Sequence, residues 1–135
     1  MSESPVVNVR YMVNDVQEAV DWYVGHLGFE VVIASPAFGS VQRGNLRLLL
    51  SGKASSAGRA MPDGATPAPG GWNRFQFLVD DIEAEVERLK GRGVTFRNEI
   101  VRGPGGAQVL IEDPSGNYVE VFEPATTGVF AAARP

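Results

Sequence analysis

The chain has 135 residues, 44% apolar and 21% charged, which suits a globular fold with a core. Its apolar runs all fall short of the roughly 18 residues that a membrane span needs. It contains no cysteine, so disulfides, thiolate metal sites and thiol nucleophiles are excluded. Sixteen acidic residues against twelve basic ones give a net charge of −4 without any basic run, which argues against nucleic acid as a partner. The opening MSESPVVNV lacks the basic-then-apolar order of a secretory signal, so the expected location is the cytoplasm, with no membrane partner.

The first element is an alternating strand. Val7, Val9, Tyr11 and Val13 share one face, and Asn8, Arg10 and Met12 share the other. Asp15, with Glu18 three residues on, is a capping-box-like helix start. Val16, Ala19, Val20, Tyr23 and Leu27 recur at helical spacing, and Gly28 is placed to end the helix. Three strand-like runs follow, FEVVIAS, FGSVQR and LRLLLS.

Residues 52–71, GKASSAGRAMPDGATPAPGG, have no apolar period and read as a linker. Beyond it the plan repeats. Trp72 begins a strand in which Phe75, Phe77 and Val79 oppose Arg74, Gln76 and Leu78. Asp81 caps a helix with the stripe Ile82, Val86 and Leu89, and Gly93 ends it. The runs VTFRNEI, AQVLIED and YVEVFE complete the half, with RGPGGAQ read as a hairpin turn rather than a phosphate loop, since no helix follows it. The expected layout is a single α+β domain made of two β-α-β-β-β modules, residues 5–51 and 72–124, with a tail at 125–135. One helix shields one face of each sheet, so the other face must curl into a cup or meet the other half.

The stretches VRYMVNDVQEAVDWYVGHLGF, FLVDDIEAEVERLKGRGV and EDPSGNYVEVFEP resemble the vicinal oxygen chelate superfamily. That group includes glyoxalase I, bleomycin-resistance proteins, fosfomycin-resistance enzymes and extradiol dioxygenases. The resemblance implies a cupped, largely antiparallel mixed sheet. In metal-using members it also implies four ligand positions, on the first and last strands of each module. Carried over through the V-x-D and Gly-Asn signatures, these positions are Asn8, Leu48, Arg74 and Glu120. Leucine cannot ligate and arginine brings a permanent positive charge, so the set implies no metal and no cofactor. Glu120 is then expected to pair with Arg74 on the cup floor, because a buried carboxylate needs a partner.

By alternation the cup face takes Asn8, Arg10, Met12, Arg74, Gln76, Leu78, Tyr118, Glu120 and Phe122, with Leu46, Leu48 and Leu50 from the fourth strand. Trp72 either packs the linker down or forms a stacking wall for a flat ligand, and Phe38 is a candidate second wall. The only histidine, His26, falls at the end of the first helix, where a cationic or polar residue is ordinary, and a base role is the competing reading. Such a face suits a small-molecule pocket, and its arginines suit an anionic substituent.

Two functions follow as expectations. One is a homodimeric, bleomycin-resistance-type protein that holds an aromatic or partly anionic ligand without altering it. The other is an enzyme of the same superfamily: a lyase, isomerase or hydrolase with Glu120 as base and Arg74 or Arg10 as anion stabiliser, or a metal-dependent glyoxalase-like enzyme. A cup filled by the protein's own side chains or by the linker is the third possibility. Whether the halves pair within one chain or between two is open.

Overall fold

The computed structural model describes residues 5–125, so the expected tail lies outside the described residues apart from Ala125. The chain divides into two compact units. One runs through Gly70 and takes in Pro114–Asn117; the other comprises Gly71–Asp113 and the chain from Tyr118 on.

The first unit runs β1 (Val7–Met12), α1 (Val16–Leu27), β2 (Glu30–Ala34), β3 (Phe38–Arg43) and β4 (Leu46–Ser51). α1 starts where the Asp15 carboxylate accepts from the Glu18 amide, and it stops where Gly28 turns left-handed at φ 73°. The strands lie in the order β1-β4-β3-β2, with β1 and β4 parallel and the other pairs antiparallel. Val16, Ala19, Val20, Tyr23 and Leu27 form the buried stripe of the helix. That stripe lies over the face of Gly39, where an added Cβ would stand 2.8 Å from Val20 Cγ2. Gly39 pairs with Leu50, which in turn pairs with Tyr11, so these residues line the helix-covered face with Val41 and Leu48.

This placement corrects the reading of β4. Leu48 is wholly buried and pairs with Val9, so Leu46, Leu48 and Leu50 face the helix. The helix-free face instead carries Asn8, Arg10 and Met12 opposite Arg47, Leu49 and Ser51. A one-residue slip is enough to exchange every side chain between faces.

The second unit runs β5 (Gln76–Leu78), α2 (Ile82–Gly91), β6 (Thr95–Phe96), β7 (Val101–Gly103), β8 (Gly106–Glu112) and β9 (Tyr118–Pro124). Its order β5-β9-β8-β6, with β5 and β9 parallel and β7 also on β8, matches the first unit once β6 and β7 are taken as one interrupted strand. The interruption has a local cause: the Asn98 side chain accepts from the Leu110 amide at 2.9 Å, a bond that ladder backbone would otherwise make. β7 and β8 close the expected hairpin over Pro104 and Gly105, with Gly103 opposite Gly106. Phe77, Ile82, Leu89, Val109, Ile111, Val119 and Val121 form the core of this unit. β5 is shorter than expected: Trp72 precedes it rather than beginning it.

Candidate functional site

The helix-free face of the second unit is built from three neighbouring strands. Gln76 pairs with Glu120, which pairs with Leu110 on β8; Leu78, Phe122 and Gln108 form the next row, and Tyr118 pairs with Glu112. Glu120 is buried at the centre. Its Oε1 accepts from Arg74 Nε at 3.0 Å and lies 2.9 Å from Arg74 Nη2. Its Oε2 accepts from Gln76 Nε2 at 2.7 Å. Gln108 completes the set: with its amide turned to donate, the nitrogen lies 2.9 Å from Oε2 and 3.3 Å from Oε1. An ionised carboxylate has about four lone-pair sites, and here four donors point at it.

Arg74 is fixed from a second side, since its Nη1 donates to the Trp72 carbonyl at 3.1 Å. That bond places Trp72 beside the ion pair. The indole stacks on Tyr118 with ring centroids 5.2 Å apart and planes at 28°, and the Arg97 guanidinium carbon lies 5.8 Å from the indole centroid. Trp72 nonetheless remains 62% exposed. Trp72 therefore packs against Tyr118 and still offers surface. A flat ligand and an anionic substituent would both find complementary chemistry on this shelf.

On the first unit, the helix-free face carries Arg10, whose Nη1 donates to Ser51 Oγ, and Arg47, whose Nε donates to Asn8 Oδ1, both at 2.9 Å. Phe38 pairs with Ser51 and lies on this face, half-buried. His26 is on α1 and packs edge-on to Trp22. The helix covers the opposite face from Arg10 and Asn8, so His26 is on the wrong side of its sheet to serve as their base.

The ladders also correct the fourth ligand position. β1 meets β4 at Arg10 and Leu49, as β5 meets β9 at Gln76 and Glu120, so Leu49, not Leu48, is the counterpart of Glu120. Counting from the Gly-Asn turns missed this because one more residue separates Gly44 from its ladder position than separates Gly116. The corrected set, Asn8, Leu49, Arg74 and Glu120, does not fit a divalent ion. Leu49 offers no lone pair, Asn8 Oδ1 already accepts from Arg47, and a guanidinium occupies Glu120. Among the described residues no three His, Cys, Asp or Glu side chains gather as a metal site.

Sequence reasoning missed Gln108, Leu110 and Arg97 on the second unit, and Arg47, Leu49 and Ser51 on the first. The alternation of AQVLIED contained part of the signal, because it sets Gln108, Leu110 and Glu112 on one side. Arg97 follows an interrupted strand, where period-two alternation gives no guide.

A family model described as the Glyoxalase/Bleomycin resistance protein/Dioxygenase superfamily matches residues 6–121. The chain belongs to that superfamily. No curated protein matches it. Among solved structures, this superfamily member is 26% identical to a lactoylglutathione lyase from Agrobacterium tumefaciens, covering 91% of this chain and 96% of that one, with a TM-score of 0.69. It is 25% identical to TnmS3, an antibiotic binding protein from Streptomyces sp. CB03234, over 93% and 99% of the two chains, with a TM-score of 0.68. A superfamily member from Sphaerobacter thermophilus is 28% identical over 89% and 97%, with a TM-score of 0.71. No helix among the described residues is long and apolar enough to cross a membrane.

Proposed function

We propose that this superfamily member is a metal-independent binding protein that holds a flat, partly anionic small molecule on the second unit's helix-free face. The observation that carries this reading is the saturation of Glu120. A general base needs a free lone pair aimed at substrate, and the Glu120 oxygens are instead taken by Arg74, Gln76 and Gln108. The acid then acts as an anchor that fixes Arg74 beside Trp72, and Arg97 at the indole is the cation for an anionic substituent. The similarity to TnmS3, which is described as an antibiotic binding protein, supports the same reading.

The competing reading is an enzyme, and the similarity to a lactoylglutathione lyase is what favours it. One experiment separates them. A panel of planar aromatic carboxylates is titrated by calorimetry against the wild type and Trp72→Ala, and each bound compound is recovered and weighed by mass spectrometry. Saturable binding that Trp72→Ala weakens, with the compound recovered unchanged, supports the binding module. Turnover of the panel or lactoylglutathione lyase activity, abolished by Glu120→Gln, would establish the enzyme.

The proposal includes a cytoplasmic homodimer. Its support is the edge strand β2, where Val31, Val32 and Ile33 are 52%, 46% and 50% exposed. An apolar edge of this kind invites pairing with another chain. Sedimentation of the wild type and Val32→Lys tests it: a wild-type monomer of about 14.5 kDa at micromolar concentration would overturn the dimer.

A further inference from the structure

The two units treat the same central position in opposite ways. In the second, Glu120 neutralises Arg74. In the first, the equivalent position is Leu49, and the arginines around it have no counterion among the described residues. Arg10 pairs with Leu49 across the β1–β4 ladder, and Arg47 stands two residues before Leu49 on β4, so both lie on one face at diagonal positions. Their hydrogen bonds go to neutral groups, Ser51 Oγ and Asn8 Oδ1, which orient the guanidiniums without cancelling their charge. Among the described residues no carboxylate lies within ion-pair distance of either.

The surrounding rows add neutral polar groups. Gln42 pairs with Arg47, and Ser40 pairs with Leu49 on the side away from Arg10. The Ser40 hydroxyl is buried and has no hydrogen-bond partner among the described residues. Buried hydroxyls are nearly always bonded, so an unpaired one beside two uncompensated cations marks a place where an acceptor is wanted. Glu30, which pairs with Gln42 on the edge strand, is the one carboxylate in these rows. It stands two strands from Arg47, roughly 10 Å at the usual strand spacing, where salt screens most of its effect.

We propose that the helix-free face of the first unit is a receptor for an oxyanion, a carboxylate or phosphate carried by a small molecule, held by Arg10 and Arg47 around Leu49. Arginine's planar fork matches either group, and two fixed guanidiniums match the charge. The proposal is independent of what the second unit binds.

The test uses the full chain and two non-aromatic probes at constant ionic strength in chloride: sodium acetate and sodium phosphate, each followed by nuclear magnetic resonance titration. At least one should saturate, and the one that does identifies the group. Arg10→Gln and Arg47→Gln should each weaken it at least tenfold. Leu49→Glu, which installs the acid that the second unit has at this position, should abolish it. Circular dichroism shows whether each variant is folded, and Arg10→Lys, which keeps the charge but loses the fork, serves where Arg10→Gln is not. Trp72→Ala should leave these titrations unchanged, which separates this site from the second unit's shelf. The proposal is overturned if neither probe saturates, or if a folded Leu49→Glu protein binds as the wild type does.

Discussion

Arg74 presents Nε and Nη2 to a single oxygen of Glu120, at 3.0 and 2.9 Å, while Gln76 takes the other oxygen. The pair is unequally covered: the Glu120 side chain is 8% exposed and that of Arg74 28%. Its worth should therefore fall between an exposed pair, about 0–1 kcal/mol, and a fully buried one broken on one side, about 3–5 kcal/mol. Arg74→Met is expected to cost about 1–3 kcal/mol by the same comparison. Arg74→Met with Glu120→Leu should recover much of that loss, because no charge is then left uncompensated. Urea titration of the four proteins in the cycle gives the coupling directly, and additive effects would show that the pair is energetically idle.

The same geometry leads to a prediction about metals. Elemental analysis of purified protein should find no stoichiometric Zn, Ni, Fe or Mn, because a guanidinium holds the one carboxylate of the four positions. One tightly bound equivalent that disappears in Glu120→Gln would refute this and would require Arg74 to swing away.

Much of this was legible in the sequence, and the exceptions have physical causes. Caps at Asp15 and Asp81, the left-handed Gly28 and the apolar stripe of α1 are local signals, readable over a few residues. The Arg74–Glu120 pair was also readable, since a buried carboxylate needs a partner and alternation sets Arg74 on the same face. Leu48 was placed on the wrong face because which residue of β4 meets which residue of β1 is a long-range fact, and the shared Gly-Asn turn is an uncertain ruler for it. Gln108 and Arg97 join the face through strand pairings that only the folded sheet defines.

Gly39 shows the packing side of the argument. A Cβ there would meet Val20 Cγ2 at 2.8 Å and Val16 Cγ1 at 3.1 Å, both on the helix stripe. Branched side chains give little, so Gly39→Ala must push α1 off the sheet, at about 1–3 kcal/mol for overpacking. Thermal denaturation should show the loss, and adding Val20→Ala should relieve part of it. A Gly39→Ala protein as stable as the wild type would mean that the helix adjusts freely.

Asn117 lies in the turn between β8 and β9, where it acts as a clamp. It is buried within the first unit, where its Nδ2 donates to the Met12 carbonyl at 2.8 Å and its Oδ1 accepts from the Gly70 amide at 2.8 Å. One side chain thus ties the end of β1 to the end of the linker. Asn117→Leu removes both bonds and leaves a carbonyl and an amide without that partner, which should cost about 2–4 kcal/mol. Asn117→Asp should be nearly as harmful, since a carboxylate oxygen would then face the Met12 carbonyl. A second readout isolates the linker. With Gly70 released, trypsin should cut faster after Lys53 and Arg59 in conditions where the variant is still folded by circular dichroism. Unchanged cleavage together with a large stability loss would show that the Met12 bond carries the effect and that the linker is held elsewhere.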